Sequence, residues 1–218
     1  MFNISEYHLA LCTIPLGIVV TLKYAIISAI VATIMGSFIA LGKISRVVVF
    51  RIAADFWISI IRGTPILLQL SFFYFALPAI LNTEISVTVA GILCFSINSS
   101  AYVAEIVRGG ILSIDKGQTE ASESLNIYGF YKYWYIILPQ VVRNITPSLV
   151  NEVINLIKES AIISVFGDMD LIRRAQVVTA QYYTYFAPLI VAGVCYYVII
   201  QLLSVVAKKL EHKLHYYD

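Results

Sequence analysis

The chain has 218 residues, 60% of them apolar, with a mean hydropathy of +0.84 and a net charge of +2. A water-soluble domain carries about 45–50% apolar residues, so an ordinary soluble enzyme is excluded. The long apolar runs do not alternate in polarity, which excludes a membrane barrel, and no basic run offers a footprint for nucleic acid.

Five stretches approach the roughly 20 residues that a helix needs to cross a hydrocarbon core of about 30 Å. The expected fold class is therefore an all-α integral membrane protein, with one domain over residues 1–218. The first span covers about 9–40. It lacks a positively charged leader region and stands as a permanent span. Cys12 lies here, and Cys94 and Cys195 lie in later apolar runs without metal-ligand spacing, so all three are expected to pack as small hydrophobes. His8, His212 and His215 stand near the termini and carry no expected chemistry.

Next comes "SRVVVFRIAADFW" (45–57), which mixes Arg51 and Asp55 with apolar residues and suits an amphipathic connector on the membrane surface. The second span covers about 58–81, with Arg62 near its inner end, where a guanidinium can reach the interface. The third covers about 87–107. Asn98, Tyr102 and Glu105 are spaced there by four and three, which puts them on one helix face. Ionisable residues at such positions are expensive and point to function. Glu105 could instead pair with Arg108 one turn on.

The segment "DKGQTEASESLN" (115–126) is polar between greasy neighbours. It is expected to form a short helix with Asp115 at its start. Asn126 and Gly129, residue types that tolerate left-handed backbone, would end it. "YKYWYIILP" then returns to the membrane through interface-favouring aromatic residues. The whole loop runs from about 111 to 139. The fourth span, about 142–166, is the most polar, with Ser148, Asn151, Asn155 and Glu159 roughly on one face and Lys158 and Ser160 beside it. The fifth covers about 188–207. If the polar loop faces the cytosol, Lys43, Arg46, Arg51, Arg108, Lys116, Lys132, Arg143, Lys208, Lys209 and Lys213 are all inside. Only Arg173 and Arg174 are then outside. That asymmetry predicts the N-terminus outside and the C-terminus in the cytosol.

"EASESLN" followed by "ILP" resembles the EAA loop of ATP-binding-cassette importer permeases. Glu120, Ala121, Ile136, Leu138 and Pro139 match that pattern. Ser122 replaces its second Ala, and Asn126 replaces its Gly. "RGTPILLQLSFFYF" (62–75) is similar to a signature of the polar amino-acid permeases, and "NSSAYVAEIVRGGI", "NEVINLIKESAIISVFG" and "LEHKL" also resemble that group. The resemblance covers about 21–214.

The resemblance implies five transmembrane helices of the type I importer permease kind with a cytosolic coupling helix, in a bacterial inner membrane. It implies as partners cytosolic ATPase subunits, an extracytoplasmic amino-acid-binding protein and a second permease subunit, besides membrane lipid. Gly117, Glu120, Ala121, Asn126 and Gly129 would serve ATPase coupling. Arg62 and Pro65 would be gate or interface residues. Gln69, Asn98, Ser99, Tyr102, Glu105, Glu159 and Ser160 would line the substrate path.

No phosphate-cradling glycine loop is present, so the chain is not expected to hydrolyse ATP, and no metal or cofactor is expected. Glutamine is the first substrate expectation, given the neutral amides and hydroxyls in the spans. Basic amino acids, histidine, glutamate and cystine stay open, as do a secondary transporter and a structural membrane subunit.

Overall fold

The computed structural model describes residues 4–215. The two chain ends, whose sides of the membrane were inferred above, lie outside the described residues. Every regular element among the described residues is helical. Three helices are long and apolar enough to cross a membrane: His8–Ile44, Val87–Leu112 and Phe186–Glu211. Val48–Gly63 and Ile66–Leu81 pass that test only as a pair, bent by 99°.

Helix α1 (Ile4–Thr13) joins α2 (Gly17–Ile44) through a 3-10 turn at Pro15. The buried side of α2 is a row of mostly small residues, including Thr21, Ala25, Ser28, Ala32, Gly36 and Ala40. Their spacing of three or four makes one stripe. Small residues let backbones approach closely in lipid, where hydrophobicity alone does not drive helices together. A Cβ at Gly36 would stand 2.7 Å from the Val103 side chain, so this contact requires glycine.

Helix α3 (Val48–Gly63) follows a tight connection at Ser45–Val47 and exposes Val48, Phe50, Ile52, Phe56 and Trp57. The chain then turns sharply into α4 (Ile66–Ser71). The expected span 58–81 is thus divided, with residues 58–63 in a helix that points another way. Pro65 explains the break. It has no N–H to donate, and Thr64 before it is extended at φ −120°, ψ 141°.

The segment continues through a π-helical turn, Phe72–Ala76, into α5 (Leu77–Leu81). The same device recurs later. Helix α8 (Gly129–Lys132) runs through a π-helical turn, Tyr133–Ile137, into α9 (Leu138–Glu159). In each case a proline, Pro78 or Pro139, sits at the second position of the following helix. The residue before it donates five residues back, Leu77 to Phe72 and Leu138 to Tyr133. A proline clashes with the carbonyl four residues behind it, and the wider turn relieves that clash.

Helix α6 (Val87–Leu112) starts at Ser86, whose hydroxyl caps Val89 N–H at 3.3 Å, and is the most enclosed element. Helix α7 (Lys116–Ser124) precedes α8. After α9 a 3-10 segment, Ser160–Phe166, leads to α10 (Leu171–Tyr182) and then α11 (Phe186–His215), which lies on the outside of the bundle.

Apolar packing forms two clusters. One includes Tyr24, Ala25, Leu70, Cys94, Phe95, Leu156 and Ile157. The other includes Ala32, Ala40, Ile61, Ala101, Val107, Val141 and Ile145. Along α2, α6 and α9 the buried polar residues Ser28, Ser96, Asn98, Ser99, Ser100 and Glu152 fall between the two. A polar layer therefore crosses the middle of the bundle.

Candidate functional site

Gln69 joins that layer through Asn98. Its side-chain N–H donates to Ile61 O at 2.9 Å, Thr64 O at 3.2 Å and Thr64 Oγ1 at 2.8 Å. Two of these acceptors are carbonyls that the end of α3 leaves without helical partners. Its Oε1 accepts from Asn98 Nδ2 at 3.0 Å. Gln69 therefore ties the elbow between α3 and α4 to α6. The RGTP–QL stretch now has a physical content: Pro65 breaks the helix, and Gln69 satisfies the broken end.

The structure brings several expected residues together at this elbow. Arg62 lies over the Tyr102 ring, its Cζ 5.1 Å from the centroid. Asn98, Tyr102 and Glu105 do share a face of α6, and that face looks toward α2 and the elbow. Glu105 accepts from Arg108 Nε at 2.9 Å, one of the two pairings left open above, and also from Lys43 Nζ at 2.5 Å. Lys43 in turn holds Asp55 of α3 at 2.9 Å. Asp55, Lys43, Glu105 and Arg108 so form a chain of charges across three helices.

Ser99 turns the other way and donates to Glu152 Oε1 at 2.6 Å, with both residues buried. A cavity of about 150 Å³ between α2, α6 and α9 reaches Ser99, Glu152, Thr33 and Thr146. Glu152 was missing from the expected site. It lies one position from Asn151, hence about 100° around the helix, and faces α6 while Asn151 faces out. Ser160 donates to Ile157 O at 2.9 Å in the last turn of α9, and Glu159 is half-buried.

Asn144, Ser148, Asn151, Asn155 and Lys158 are exposed and recur at spacings of four and three. They make a polar stripe along α9 that looks away from the bundle. The polar faces of the third and fourth spans thus do not enclose one cavity within a single chain.

The polar loop has the local form expected of it. Asp115 caps α7 by accepting from Gly117 N at 2.6 Å. At its end Asn126 N donates to Glu123 O at 3.0 Å, and Ile127 N to Ser122 O at 2.9 Å. That pair of bonds is a Schellman turn, and Asn126 takes the left-handed position at φ 60°. Gly129 is also left-handed, at φ 57°. Lys132 Nζ reaches back to Glu123 at 2.9 Å and fixes α8 against α7. Glu120 and Ala121 point to the outside of the loop and are exposed.

At the other end of the bundle, Asp168 accepts hydrogen bonds from Tyr24 and from Thr88, the latter at 3.3 Å. Asp170 caps α10 through Arg173 N at 2.7 Å. It is fully buried, and burial pushes its carboxyl up to about 6.

The profile of a family described as the binding-protein-dependent transport system inner membrane component matches residues 32–216. The "Putative glutamine transport system permease protein GlnP" of Rickettsia typhi is 52% identical over 198 residues, 91% of each chain. The arginine transport system permease protein ArtQ of Bacillus subtilis is 45% identical, over 91% of this chain and 90% of its own. Among solved structures, an amino acid ABC transporter crystallised with histidines superposes with a TM-score of 0.83 at 39% identity, covering 89% of this chain and 91% of that one. An inward-facing methionine ABC transporter, MetNI, shares the fold, with a TM-score of 0.73 at 15% identity over 98% of this chain and 99% of that one.

Proposed function

Since the chain belongs to the family of inner membrane components of binding-protein-dependent transport systems, we propose that it carries a polar amino acid, glutamine first, through an ATP-driven importer. The observation that carries this reading is the exposed polar stripe of α9. A helix flanked by membrane-crossing neighbours cannot turn amides and an ammonium to lipid without cost. The stripe therefore belongs to a wet path completed by a second permease subunit.

In this reading five segments cross the membrane, the bent pair and α9 included. The N-terminus lies outside and the C-terminus in the cytosol. Glu120 and Ala121 on α7 meet a cytosolic ATPase subunit, which supplies the hydrolysis, while an extracytoplasmic binding protein delivers the substrate. Gly117, Asn126 and Gly129 shape that docking loop. Glu152 and Ser99, beside the small cavity, and Glu159 further along α9 offer carboxylate and hydroxyl oxygens to a substrate ammonium. Asn98, Gln69, Arg62 and Pro65 act through the elbow, and Glu105 and Tyr102 hold its inner flank. A basic amino acid is the second substrate reading, favoured by the 45% identity to an arginine permease and by these carboxylates.

The test is reconstitution of the chain with an ATPase and a binding protein from the same bacterium. Uptake of labelled glutamine, arginine, histidine, glutamate and cystine is measured separately. ATP-dependent glutamine uptake supports the first reading, and uptake of arginine alone supports the second. Absence of ATP-dependent uptake of any amino acid would sink both.

A further inference from the structure

A second, larger cavity of about 590 Å³ lies between α2, α6 and α9, where α8 and the following π turn meet the bundle. Leu41, Ile44, Val142, Ile145 and Leu149 are among the side chains of its walls, and Phe130, Tyr133 and Trp134 form its floor. Thr33 and Ser37 also touch it, but their hydroxyls donate to Ala29 O and Thr33 O at 2.7 Å, along their own helix. Apart from the Tyr133 hydroxyl and the Trp134 indole N–H on its floor, the groove offers no polar partner that would hold water. Its size is that of a ligand site, roughly 300–1,000 Å³.

Three features define the occupant. The groove is bounded by α2, part of a membrane-crossing helix, so its surroundings are hydrocarbon. Its floor is an aromatic shelf in which Phe130 and Trp134 stack at 5.7 Å and 12°, the side-chain chemistry of the membrane–water interface. A basic residue flanks the same end: Arg46 is exposed two positions beyond Ile44. We propose that the groove holds one inner-leaflet phospholipid, with an acyl chain between α2 and α9 and an anionic headgroup toward Arg46. A second copy of the chain fits less well. Helix contacts in lipid favour small residues, whereas these walls are branched, and the polar stripe of α9 lies on another face. The lipid would touch Tyr133 and Trp134, which are continuous with the α7–α8 loop.

The chain contains two tryptophans, so Trp134 fluorescence can report on the groove. The assembled complex is placed in vesicles containing phospholipid brominated midway along its acyl chain. The headgroup is either phosphatidylglycerol or phosphatidylcholine at equal mole fraction. Subtracting the Trp134→Phe complex isolates the Trp134 signal. Quenching by the anionic lipid is expected to exceed that by the zwitterionic one about fivefold, which corresponds to ~1 kcal/mol for a basic residue near an anionic headgroup. Arg46→Gln should remove the preference, and Val142→Phe should lower quenching by both lipids. Equal quenching by the two headgroups, or a preference unchanged by Arg46→Gln, would mean passing bulk lipid and overturn the proposal. No quenching by either would mean that protein covers the groove and would overturn it as well.

Discussion

Gln69 shows how one buried side chain can hold an element boundary. Replacing it with leucine leaves Ile61 O, Thr64 O and Asn98 Nδ2 without their partner. An orphaned buried polar group costs about 1–3 kcal/mol. Gln69→Leu should therefore lower the thermal midpoint of the complex clearly more than Asn98→Leu, which frees only one acceptor. Equal midpoints for the two variants would remove Gln69 from its role as the elbow's cap. Asn126 carries a second residue-scale prediction. Its φ of 60° costs a branched residue roughly 1–2 kcal/mol. With α7 as the proposed docking helix, Asn126→Gly should keep an ATPase subunit bound through purification, while Asn126→Val should weaken that binding. Asp170 carries a third. Burial raises its native carboxyl from 3.8 to about 6, so the native state binds the proton more tightly than the unfolded chain. Stability then falls as pH rises from about 4 to about 6 and stays lower above that. Asp170→Asn keeps an N-cap and loses the buried charge. It should unfold at a higher temperature than the natural protein at pH 8, reflecting a stability gain on the order of 3 kcal/mol, with the gap closing by pH 4. A gap that widens on acidification would refute the assignment.

At the scale of elements, local chemistry was legible and long-range pairing was not. The α7 loop could be read from Asp115, Asn126 and Gly129, because capping depends on neighbours within one turn. The shared face of Asn98, Tyr102 and Glu105 followed from helical spacing alone. What that face meets did not follow. Lys43 and Asp55 reach Glu105 only because α2, α3 and α6 converge, and no spacing within one helix encodes that. The 99° elbow was hidden for a related reason. A span over 58–81 assumes a straight helix, although Thr64–Pro65 lies within it as a breaker. Glu152 escaped because periodicity shows that a helix has a polar face but not which of two polar faces points inward. The charge chain also yields a prediction. Lys43 bridges two carboxylates at 21% side-chain exposure, whereas Asp55 is 52% exposed. An exposed pair contributes less than about 1 kcal/mol. Lys43→Met should therefore remove the tie between α2 and Glu105 of α6, seen as faster hydrogen exchange at the Lys43 end of α2 and around Glu105, while Asp55→Asn should change exchange little. Equal exchange in the two variants would show that the Lys43–Glu105 pair does not hold α2 against α6.

The whole molecule poses one question that the single chain leaves open: what covers the polar side of α9. Ser148, Asn151, Asn155 and Lys158 span half of that helix and are exposed, so lipid contact would strand their hydrogen-bonding groups over a long distance. Helix α11 offers the opposite case. Its exposed residues Leu189, Val194, Val198, Leu202 and Val205 are apolar and suit hydrocarbon. A permease pair that shares a wet axis should set the α9 stripes of its two members near each other and leave α11 outside. After replacement of Cys12, Cys94 and Cys195, single cysteines at Asn151 or Asn155 should form disulfide-linked or short-linker dimers in native membranes. A cysteine at Val194 should not. Substrate and ATP should change the Asn151 yield if the path opens and closes between the two stripes, because cysteines crosslink only when their Cα atoms come within about 7 Å. Crosslinks that form at Val194 and fail at both asparagines would place the partner on the other side of the bundle, and the wet path would then have to be sought within one chain.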